Sequence, residues 1–443
     1  MTLADKFDYK RACEYTEEAA SLGSRPGLER IRRLCDLLGN PEDKLRFIHI
    51  AGTNGKGSTA AMIASALKCA GVLVGMYYSP ALCGITDHYR INGELISEDE
   101  YAECVSEVAA ANEKLIEETG DGATQFELET CVAFVFFGKN HCDAVILETG
   151  MGGRDDATNI VSNKICCVFT SISYDHMQYL GNTLSKIADV KSGIITSACP
   201  VIAYASDDEV TDTIRRRCDT TGSTLYVVDP ADIAYDDTTP YGMIVDYGKY
   251  LRMDVGLAGA FQAANAAVAV KTLEVIGKGS LLPGFSIDED IIRKGLADVK
   301  WPFRFERIND DPYVYVDGAH NEDAAKKLRA TIDERLPGYR IILVAGMFRD
   351  KEYDKVMNIL ASRSDMVFAV ETPDNARALP AAELAKCARK YCENVKACDS
   401  IKDAYDEAVS AAKDSEGKSA VIAAGSLSYL NDFVKSCREH GKS

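Results

Sequence analysis

Residues 47–59 constrain the fold of this chain more than any other segment. The first five are mostly apolar, the rest are rich in glycine and hydroxyl residues and include one lysine, Lys56, and residues 60–70 are rich in alanine. A buried strand, a glycine loop and a helix in this order direct backbone N–H groups, the helix N-terminus and the lysine ammonium toward one point, which suits a phosphate group. We therefore predict a nucleotide-binding loop. The alternative is a glycine turn with an exposed lysine.

The spacing of this loop differs from that of the standard phosphate loop. Counted back from Lys56, the standard spacing requires glycine at position 50, and this chain has Ile50. The loop is therefore a shortened variant, in which Ser58 or Thr59 would lie near a bound Mg²⁺.

The bulk properties exclude several classes of protein. A formal net charge of −18 makes a nucleic-acid partner improbable, since such partners require a basic surface. No apolar run approaches the roughly 20 residues that span a bilayer, and the first residues lack the pattern of a signal peptide. The 15 cysteines are odd in number and include no Cys-x-x-Cys, which favours free thiols in a reducing compartment. We expect a cytoplasmic protein that binds neither nucleic acid nor membrane.

Strand-like and helical patterns alternate along most of the chain. The strand-like segments are 46–51, 72–78, 143–149, 164–172, 200–205, 313–316, 341–345, 366–370 and 420–424. Such alternation is typical of parallel sheets covered by helices. We predict an α/β fold with a mostly parallel N-terminal sheet of the phosphate-loop type and a smaller, Rossmann-like C-terminal domain. Residues 222–256 predict a small antiparallel insertion. The domains would span 1–296 and 297–443.

Glu148 is the first candidate for chemistry outside the loop. It stands at the carboxyl end of a strand that should be buried, where open α/β sheets bind ligands, and a carboxylate there could hold Mg²⁺. The alternative is a structural carboxylate paired with Arg154.

Three further segments carry polar groups near strand or helix ends. The pair Asp175-His176 follows a strand and could be a ligand or a base, although a hydrogen-bonded loop histidine is the simpler reading. Lys191 stands at a helix end, where a lysine commonly complements the helix dipole. Arg304 could clamp a phosphate, and the alternative is a surface salt bridge.

Together these segments resemble the folylpolyglutamate synthase/dihydrofolate synthase family, a branch of the Mur ligase superfamily. The resemblance covers nearly the whole chain, and the shortened phosphate loop is the family's own form. Its motifs are Gly52-Thr53-Asn54-Gly55-Lys56-Gly57-Ser58, Ser79-Pro80-x-Leu82, Arg90-Ile91-Asn92-Gly93, Leu147-Glu148-x-Gly150-x-Gly152-Gly153-Arg154-x-Asp156-Ala157-Thr158-Asn159, Asp175-His176, Lys191-x-Gly193-Ile194-Ile195, Trp301-Pro302-x-Arg304 and Asp317-Gly318-Ala319-His320-Asn321.

The resemblance implies an ATP-dependent ligase that adds L-glutamate to a folate or pteroate acceptor through an acyl phosphate. It implies ATP ligands at Thr53, Asn54, Gly55, Lys56, Gly57, Ser58, Asn265, Arg304 and Asp317. It implies catalytic roles for Lys56, His176, Lys191 and His320. Two Mg²⁺ sites would use Ser79, Glu148, His176 and a carbamylated Lys191, and a K⁺ site is also expected. The pterin side would use Gly27, Leu28, Glu29, Thr124, Gln125, Phe126, Glu127, Asp155, Asp156 and Ala157. We expect a monomer.

The chain also departs from the family pattern. The departures are Ala81 in place of histidine, Asp87-His88-Tyr89-Arg90 in place of Glu-Arg-Ile-Arg, Val190 and Ser192 in place of Glu and Ala, and Ala260-Phe261-Gln262 in place of the His-Gln pair. Two of these fall in the loop expected near the pterin. Dihydropteroate and tetrahydrofolate therefore both stay open as acceptors.

Two alternatives to this function are considered. The first is a Mur-type ligase for another carboxylate, such as a cell-wall precursor. Those ligases usually carry an extra N-terminal domain of about one hundred residues, and a loop that begins at residue 52 leaves no room for it. The second is an ATP-binding regulator that has lost catalysis. The presence of Lys56, Glu148, His176, Lys191, Arg304 and Asp317 argues against the second alternative.

Overall fold

The computed structural model describes residues 6–236, 241–373 and 377–440. The helices are α1 (Tyr9–Glu18), α2 (Glu29–Leu37), α3 (Lys56–Cys69), α4 (Glu98–Thr119), α5 (Gln125–Lys139), α6 (Met177–Leu180), α7 (Leu184–Ser192), α8 (Asp208–Thr221), α9 (Phe261–Lys278), α10 (Glu289–Asp298), α11 (Glu322–Arg335), α12 (Tyr353–Leu360), α13 (Ala381–Ala388), α14 (Ile401–Lys413) and α15 (Leu430–His440).

The strands alternate with these helices along the chain. They are β1 (Phe47–Ala51), β2 (Val74–Tyr77), β3 (Tyr89–Ile91), β4 (Glu94–Leu95), β5 (Ala144–Glu148), β6 (Lys164–Phe169), β7 (Pro200–Tyr204), β8 (Thr224–Val228), β9 (Ile233–Asp236), β10 (Met243–Tyr247), β11 (Tyr250–Val255), β12 (Glu306–Asp310), β13 (Tyr313–Val316), β14 (Arg340–Ala345), β15 (Met366–Ala369), β16 (Val395–Ala397) and β17 (Ser419–Ala424). The predicted α/β fold is confirmed.

The chain divides into two compact units. The first comprises Met1–Ile233, Tyr247–Met253 and Ala264–Val299, and the second comprises Ala234–Asp246, Asp254–Ala263 and Lys300–Ser443. In the part of the chain that the structure describes, no helix is both long enough and apolar enough to cross a membrane.

The first unit contains an eight-stranded sheet in the order β4-β3-β2-β5-β1-β6-β7-β8. Six neighbouring strands of this sheet run parallel, namely β2, β5, β1, β6, β7 and β8. The strands β3 and β4 add an antiparallel edge next to β2. The central strands β1 and β5 are buried along their whole length, because helices cover both faces of a parallel sheet. The carboxyl ends of β1, β5 and β6 therefore meet at one edge of the sheet, where the site lies.

The prediction of an antiparallel insertion over 222–256 is partly wrong. Within that range, β8 pairs in parallel with β7 and is the edge strand of the large sheet. A separate three-stranded sheet has the order β11-β10-β9, and only residues 248–249 join β10 to β11, a connection that requires an antiparallel hairpin. The insertion therefore begins at β9. The prediction failed for β8 because a mostly exposed strand at the edge of a large sheet has the same sequence pattern as a strand of a separate small sheet.

The second unit contains a six-stranded sheet in the order β12-β13-β17-β14-β15-β16. Only β12 is antiparallel to its neighbour, and the other pairs are parallel. The buried side chains of β14 and β17 form its core with those of the helices, including Leu328, Met357 and Leu384. Asp317 follows β13 directly and so stands at the carboxyl edge of this sheet.

Candidate active site

The loop between β1 and α3 is fixed to the segment that follows β6. The Thr53 N–H donates to the Ser171 carbonyl over 2.8 Å. The Thr53 hydroxyl donates to the Ser173 carbonyl and accepts from the Ser173 N–H, both over 3.0 Å. These bonds use the Thr53 hydroxyl within the protein, so its contribution to a phosphate site is to shape the loop.

Gly55 allows the loop to pass close to α9. Its φ is +88°, and a Cβ built at this position would lie 2.1 Å from the Asn265 amide oxygen. Both the backbone conformation and the close approach require glycine. The structure thus brings Asn265 against the loop, as expected of a residue that shares a ligand with it.

Lys56 reaches from the loop to the end of β5. Its ammonium lies 3.6 Å from Oε1 of Glu148 and also donates to the Thr53 carbonyl over 3.3 Å. Glu148 is buried, and Lys56 is largely so. The alternative partner considered for Glu148 is wrong, because Arg154 instead pairs with Asp189 at 2.7 Å on the surface. A cation and a carboxylate therefore face each other beside the phosphate loop.

Lys191 enters the same place from the end of α7. It is buried, and its ammonium donates to the carbonyl of Gly52 over 2.8 Å. Burial, helped by the nearby charge of Lys56, lowers the pKa of Lys191 to about 7, against the opposing attraction of Asp175, Asp156 and Glu148. A lysine that only complemented the helix dipole would remain in solvent, so the simple interpretation of Lys191 fails.

His176 and Ser79 follow two further strands of the same sheet, β6 and β2. His176 has a left-handed backbone with φ +49°, its backbone N–H donates to the Asp175 carboxylate over 2.8 Å, and its side chain is 41 % exposed. Ser79 lies two residues beyond β2, the strand beside β5. Both residues are at the carboxyl edge of the sheet, as predicted.

The predicted acceptor segments come together at the start of α5. The Arg30 guanidinium, in the first turn of α2, donates to Oε2 of Glu127 over 3.1 Å, which joins the turn at Gly27 and Leu28 to residues 124–127. The same Glu127 carboxylate accepts from the Thr124 hydroxyl over 2.8 Å in a capping box at the N-terminus of α5. Thr124 and Glu127 thus also define how the helix begins.

Phe126 connects this segment to the loop after β5. A Cβ on Gly150 would lie 2.5 Å from its ring, so glycine is needed for the contact. In that loop, the Asp156 carboxylate is buried and accepts from the Met151 N–H over 2.8 Å and from the Thr158 hydroxyl over 2.6 Å. Burial raises the pKa of Asp156 despite these bonds. Gln125 and Phe126 remain partly exposed beside it, which suits contact with an aromatic ligand.

In the second unit, Arg304, Asp317 and His320 form one cluster. The two carboxylate oxygens of Asp317 accept from the N–H groups of Phe305 and Ala319 over 2.8 and 2.9 Å. Arg304 lies against Gly318, and its charge opposes the rise in the pKa of Asp317 that burial causes. His320 Nδ1 donates to the Gly318 carbonyl over 2.8 Å. Arg304 is thus partly buried against Gly318.

No group of three or more His, Cys, Asp or Glu side chains forms a ready metal cage within the residues that the structure describes. The buried Glu148 carboxylate beside the phosphate loop is an oxygen group of the kind that a hard cation takes as a ligand.

Comparisons with known proteins identify the relatives of this arrangement. Residues 50–273 match the Mur ligase middle domain, and residues 303–427 match the Mur ligase glutamate ligase domain. The chain is 32 % identical to the dihydrofolate synthase/folylpolyglutamate synthase of Bacillus subtilis (strain 168) over 434 residues, which cover 96 % of this chain and 98 % of that protein. This chain belongs to the folylpolyglutamate synthase/dihydrofolate synthase family. The predicted family is confirmed.

Solved structures of the family share the fold over the whole chain. Mycobacterium tuberculosis folylpolyglutamate synthase, complexed with ADP and AMPPCP, has a TM-score of 0.87 at 28 % identity and covers 98 % of this chain and 99 % of its own. Escherichia coli FolC, in complex with DHPP and ADP, has a TM-score of 0.83 at 28 % identity and covers 100 % of both chains. Members of this family thus bind adenine nucleotides on this fold.

The sequence analysis missed a buried polar pair behind the acceptor segments. His88 Nδ1 donates to the Tyr78 carbonyl over 2.6 Å, and His88 Nε2 lies 4.0 Å from the buried Glu129 carboxylate. Burial raises the pKa of Glu129, while His88 and a hydrogen bond from Gln125 oppose the rise. Gln125 and Glu129 are four residues apart, which places them one turn apart on α5, and this spacing could have revealed the pair from the sequence.

Proposed function

We propose that this chain joins L-glutamate to a folate-type acceptor with ATP, through an acyl phosphate. The observation that carries the proposal is that Lys56, Glu148 and Lys191 converge at the phosphate loop. The Lys56 ammonium lies 3.6 Å from the Glu148 carboxylate, and the Lys191 ammonium donates to the Gly52 carbonyl. The names of the relatives and the complexes of the family with ADP, AMPPCP and DHPP support it.

The reaction needs an activated carboxyl group, because a free carboxylate is a poor acyl donor. A carboxylate oxygen of the acceptor attacks the γ-phosphorus of ATP, and ADP leaves. The glutamate amine then attacks the acyl carbon, the amide forms, and phosphate departs with the former carboxylate oxygen. Positioning and charge neutralisation supply most of the catalysis of phosphoryl transfer.

Within this proposal, Lys56 neutralises the β- and γ-phosphates while the N–H groups from Gly55 to Ser58 hold them. The Thr53 N–H is already used by the Ser171 carbonyl, so Thr53 shapes the loop. Glu148 and Ser79 would hold Mg²⁺, with His176 near a second ion, and the metal would supply charge neutralisation for the γ-phosphate. The buried Lys56–Glu148 contact supports this, since a cation already compensates that carboxylate.

Lys191 would act as a carbamate. An ammonium has no lone pair for a metal, whereas a carbamate offers two oxygens and a negative charge. Only the neutral amine attacks CO₂, and a pKa of about 7 leaves a large neutral fraction at neutral pH. The hydrogen bond to the Gly52 carbonyl places this nitrogen beside the loop.

The acceptor would be held by the turn at Gly27 and Glu29, by Gln125 and Phe126, and by the loop at Asp155–Ala157. The contacts Arg30–Glu127 and Phe126–Gly150 support this, because they join the three segments within one unit. We further propose that the domains span about 1–296 and 297–443, that Arg304 contacts the phosphates of ATP, and that His320 acts near the incoming glutamate. A single chain would suffice as the working unit.

An oxygen-18 experiment tests the whole proposal. The acceptor is labelled in the carboxylate that becomes the amide, and the protein is incubated with ATP, Mg²⁺, K⁺ and glutamate. We expect one labelled oxygen in the released phosphate, and ADP only when acceptor and glutamate are both present. Parallel reactions with dihydropteroate and tetrahydrofolate identify the acceptor. Equal ADP release without acceptor would refute the ligase, and an unlabelled phosphate would refute the acyl phosphate.

A further inference from the structure

A second cavity lies on the outer side of α7, away from Lys191. It has a volume of about 720 Å³, is open to solvent and lies between α6, α7 and α8. Its charged lining consists of Lys186, Arg216 and Arg217 together with one acid, Asp189. We call it the basic cavity. The described site does not use any of these side chains.

The positive charge of the basic cavity is not neutralised by the protein. Asp189 is engaged by Arg154 at 2.7 Å. Within residues 6–236, 241–373 and 377–440, none of Lys186, Arg216 and Arg217 forms an ion pair with a carboxylate. By contrast Arg215, which is on α8 but outside the cavity, is paired with Asp212 at 2.5 Å. Three uncompensated cations around one cavity are notable in a chain of net charge −18.

Neutral groups orient the guanidinium groups. Arg216 Nη2 donates to the buried Thr213 hydroxyl over 2.9 Å, and that hydroxyl lies 3.3 Å from the Ser185 hydroxyl. Arg217 Nε donates to the Ile195 carbonyl over 3.0 Å. Each arginine thus spends one N–H on a neutral acceptor, which fixes its direction without cancelling its charge. Such prepared guanidinium groups match carboxylates well.

The cavity shares a wall with the proposed acceptor side. A Cβ on Gly152 would lie 3.0 Å from both Leu180 and Val190, and these two side chains line the cavity. Gly152 belongs to the same loop as Asp155–Ala157. The loop that would hold the acceptor and the basic cavity are therefore neighbours across this wall.

We propose that the basic cavity binds the γ-linked glutamate tail of acceptors that already carry several glutamates. This inference rests on the proposed function, because each added glutamate leaves a free α-carboxylate and so turns the acceptor into a polyanion. The overall negative charge of the protein repels such a tail elsewhere. Three oriented cations with hydroxyl groups between them would bind two or more successive carboxylates.

The test uses the double variant Lys186→Gln/Arg216→Gln, in which both changed side chains are exposed. The matched control is Arg215→Gln, which removes one charge from the same helix outside the cavity. Steady-state kinetics are measured with an acceptor that carries one glutamate and one that carries four. We expect the double variant to raise KM for the tetraglutamate acceptor about tenfold, with kcat retained and the monoglutamate acceptor little changed. The control should match the wild type on both acceptors.

Three outcomes decide the matter. Equal changes for both acceptors, or no change for either, would overturn tail binding while the ligase stands. If the wild type transfers glutamate neither to dihydropteroate nor to the monoglutamate acceptor, the proposed function fails first, whereas transfer to dihydropteroate alone would overturn only tail binding. Calorimetry of free γ-linked tetraglutamate with the wild type should show binding that the double variant loses and that weakens as ionic strength rises. Tetraglutamate binding that is identical in the double variant would also reject the cavity as its site.

Discussion

Glu148 and Asp317 occupy the same position in two different sheets. Each is a buried acid at the carboxyl end of a parallel strand, β5 in the first unit and β13 in the second. Glu148 has the Lys56 ammonium 3.6 Å away. Asp317 gives both oxygens to backbone N–H groups, of Phe305 and Ala319. The same sequence pattern thus produces one carboxylate that faces a lysine ammonium and one that accepts hydrogen bonds from the backbone.

Asp317 fixes the conformation of the turn at residues 303–305. The Phe305 backbone has φ +47°, and Phe303 has φ +59°, conformations that bulky residues rarely adopt. The bond from the Phe305 N–H to Asp317 holds this turn, and Arg304 lies inside it. Asp317 therefore fixes the turn that carries Arg304, whereas Glu148 faces the Lys56 ammonium directly.

The largest expected effect is that of Glu148→Gln on catalysis. Removal of the carboxylate charge should lower kcat about a thousandfold, because the amide cannot replace a charged Mg²⁺ ligand. The measurement is glutamate transfer across a Mg²⁺ titration. Asp189→Asn, which breaks only the exposed pair with Arg154, should be nearly neutral. Turnover close to wild type in Glu148→Gln would mean that Glu148, like Asp317, has a structural role and does not bind the metal.

Lys191→Ala should lower ligation about a hundredfold if its carbamate holds the metal. In the wild type, the pKa of about 7 means that the neutral amine, and with it the carbamate, increases as pH rises through 7 and is lost below it. Carbon-13 NMR with labelled bicarbonate, at about pH 6 and about pH 8, should show a carbamate signal that grows with pH and is absent from Lys191→Ala. A pH-independent signal in both proteins would exclude this lysine.

Gly55→Ala tests the phosphate loop, which carries Lys56, the partner of Glu148. The new Cβ would lie 2.1 Å from the Asn265 amide oxygen at φ +88°, so ATP binding should weaken more than about tenfold. Gly71→Ala is the matched control, because Gly71 has φ +83° and nothing within 4 Å of its Cβ position. ATP affinity measured by calorimetry should fall only in the first variant. Equal losses would show that backbone strain, and not the approach to Asn265, decides.

The smallest expected effect on catalysis is that of Asp317→Asn, which should mainly lower stability. The amide keeps only one acceptor for two backbone N–H groups, which costs about 1–3 kcal/mol in the free energy of unfolding. Burial raises the pKa of Asp317, so its ionisation is less favourable in the folded protein. The stability gap between wild type and variant should therefore narrow as pH rises from the unfolded value through the folded pKa.

Urea unfolding at several pH values measures this gap, and Asp310→Asn, at an exposed carboxylate, serves as the control. A loss of turnover in Asp317→Asn as large as that of Glu148→Gln, at unchanged stability, would mean that both acids act on ligands directly.

Sequence patterns predicted the buried strands well and the exposed ones poorly. The predicted segment at 313–316 agrees with β13, and that at 143–149 agrees with β5, because both are continuous apolar runs bounded by turns. The strands β3, β4, β12 and β16 were missed, since they are exposed or only partly buried. Their pairing depends on the neighbouring strand, which local composition does not specify.

The sequence by itself determined the strand, loop and helix of the phosphate site, the order of the βα units and the family, because these follow from local periodicity, glycine spacing and motif order. Only the tertiary structure decided the partners. It gave Glu148 to Lys56 and not to Arg154, and it buried Lys191 against Gly52, 139 residues earlier in the chain. The physical reason is that charge pairing and pKa depend on burial and on groups distant in sequence, which only the folded chain brings together.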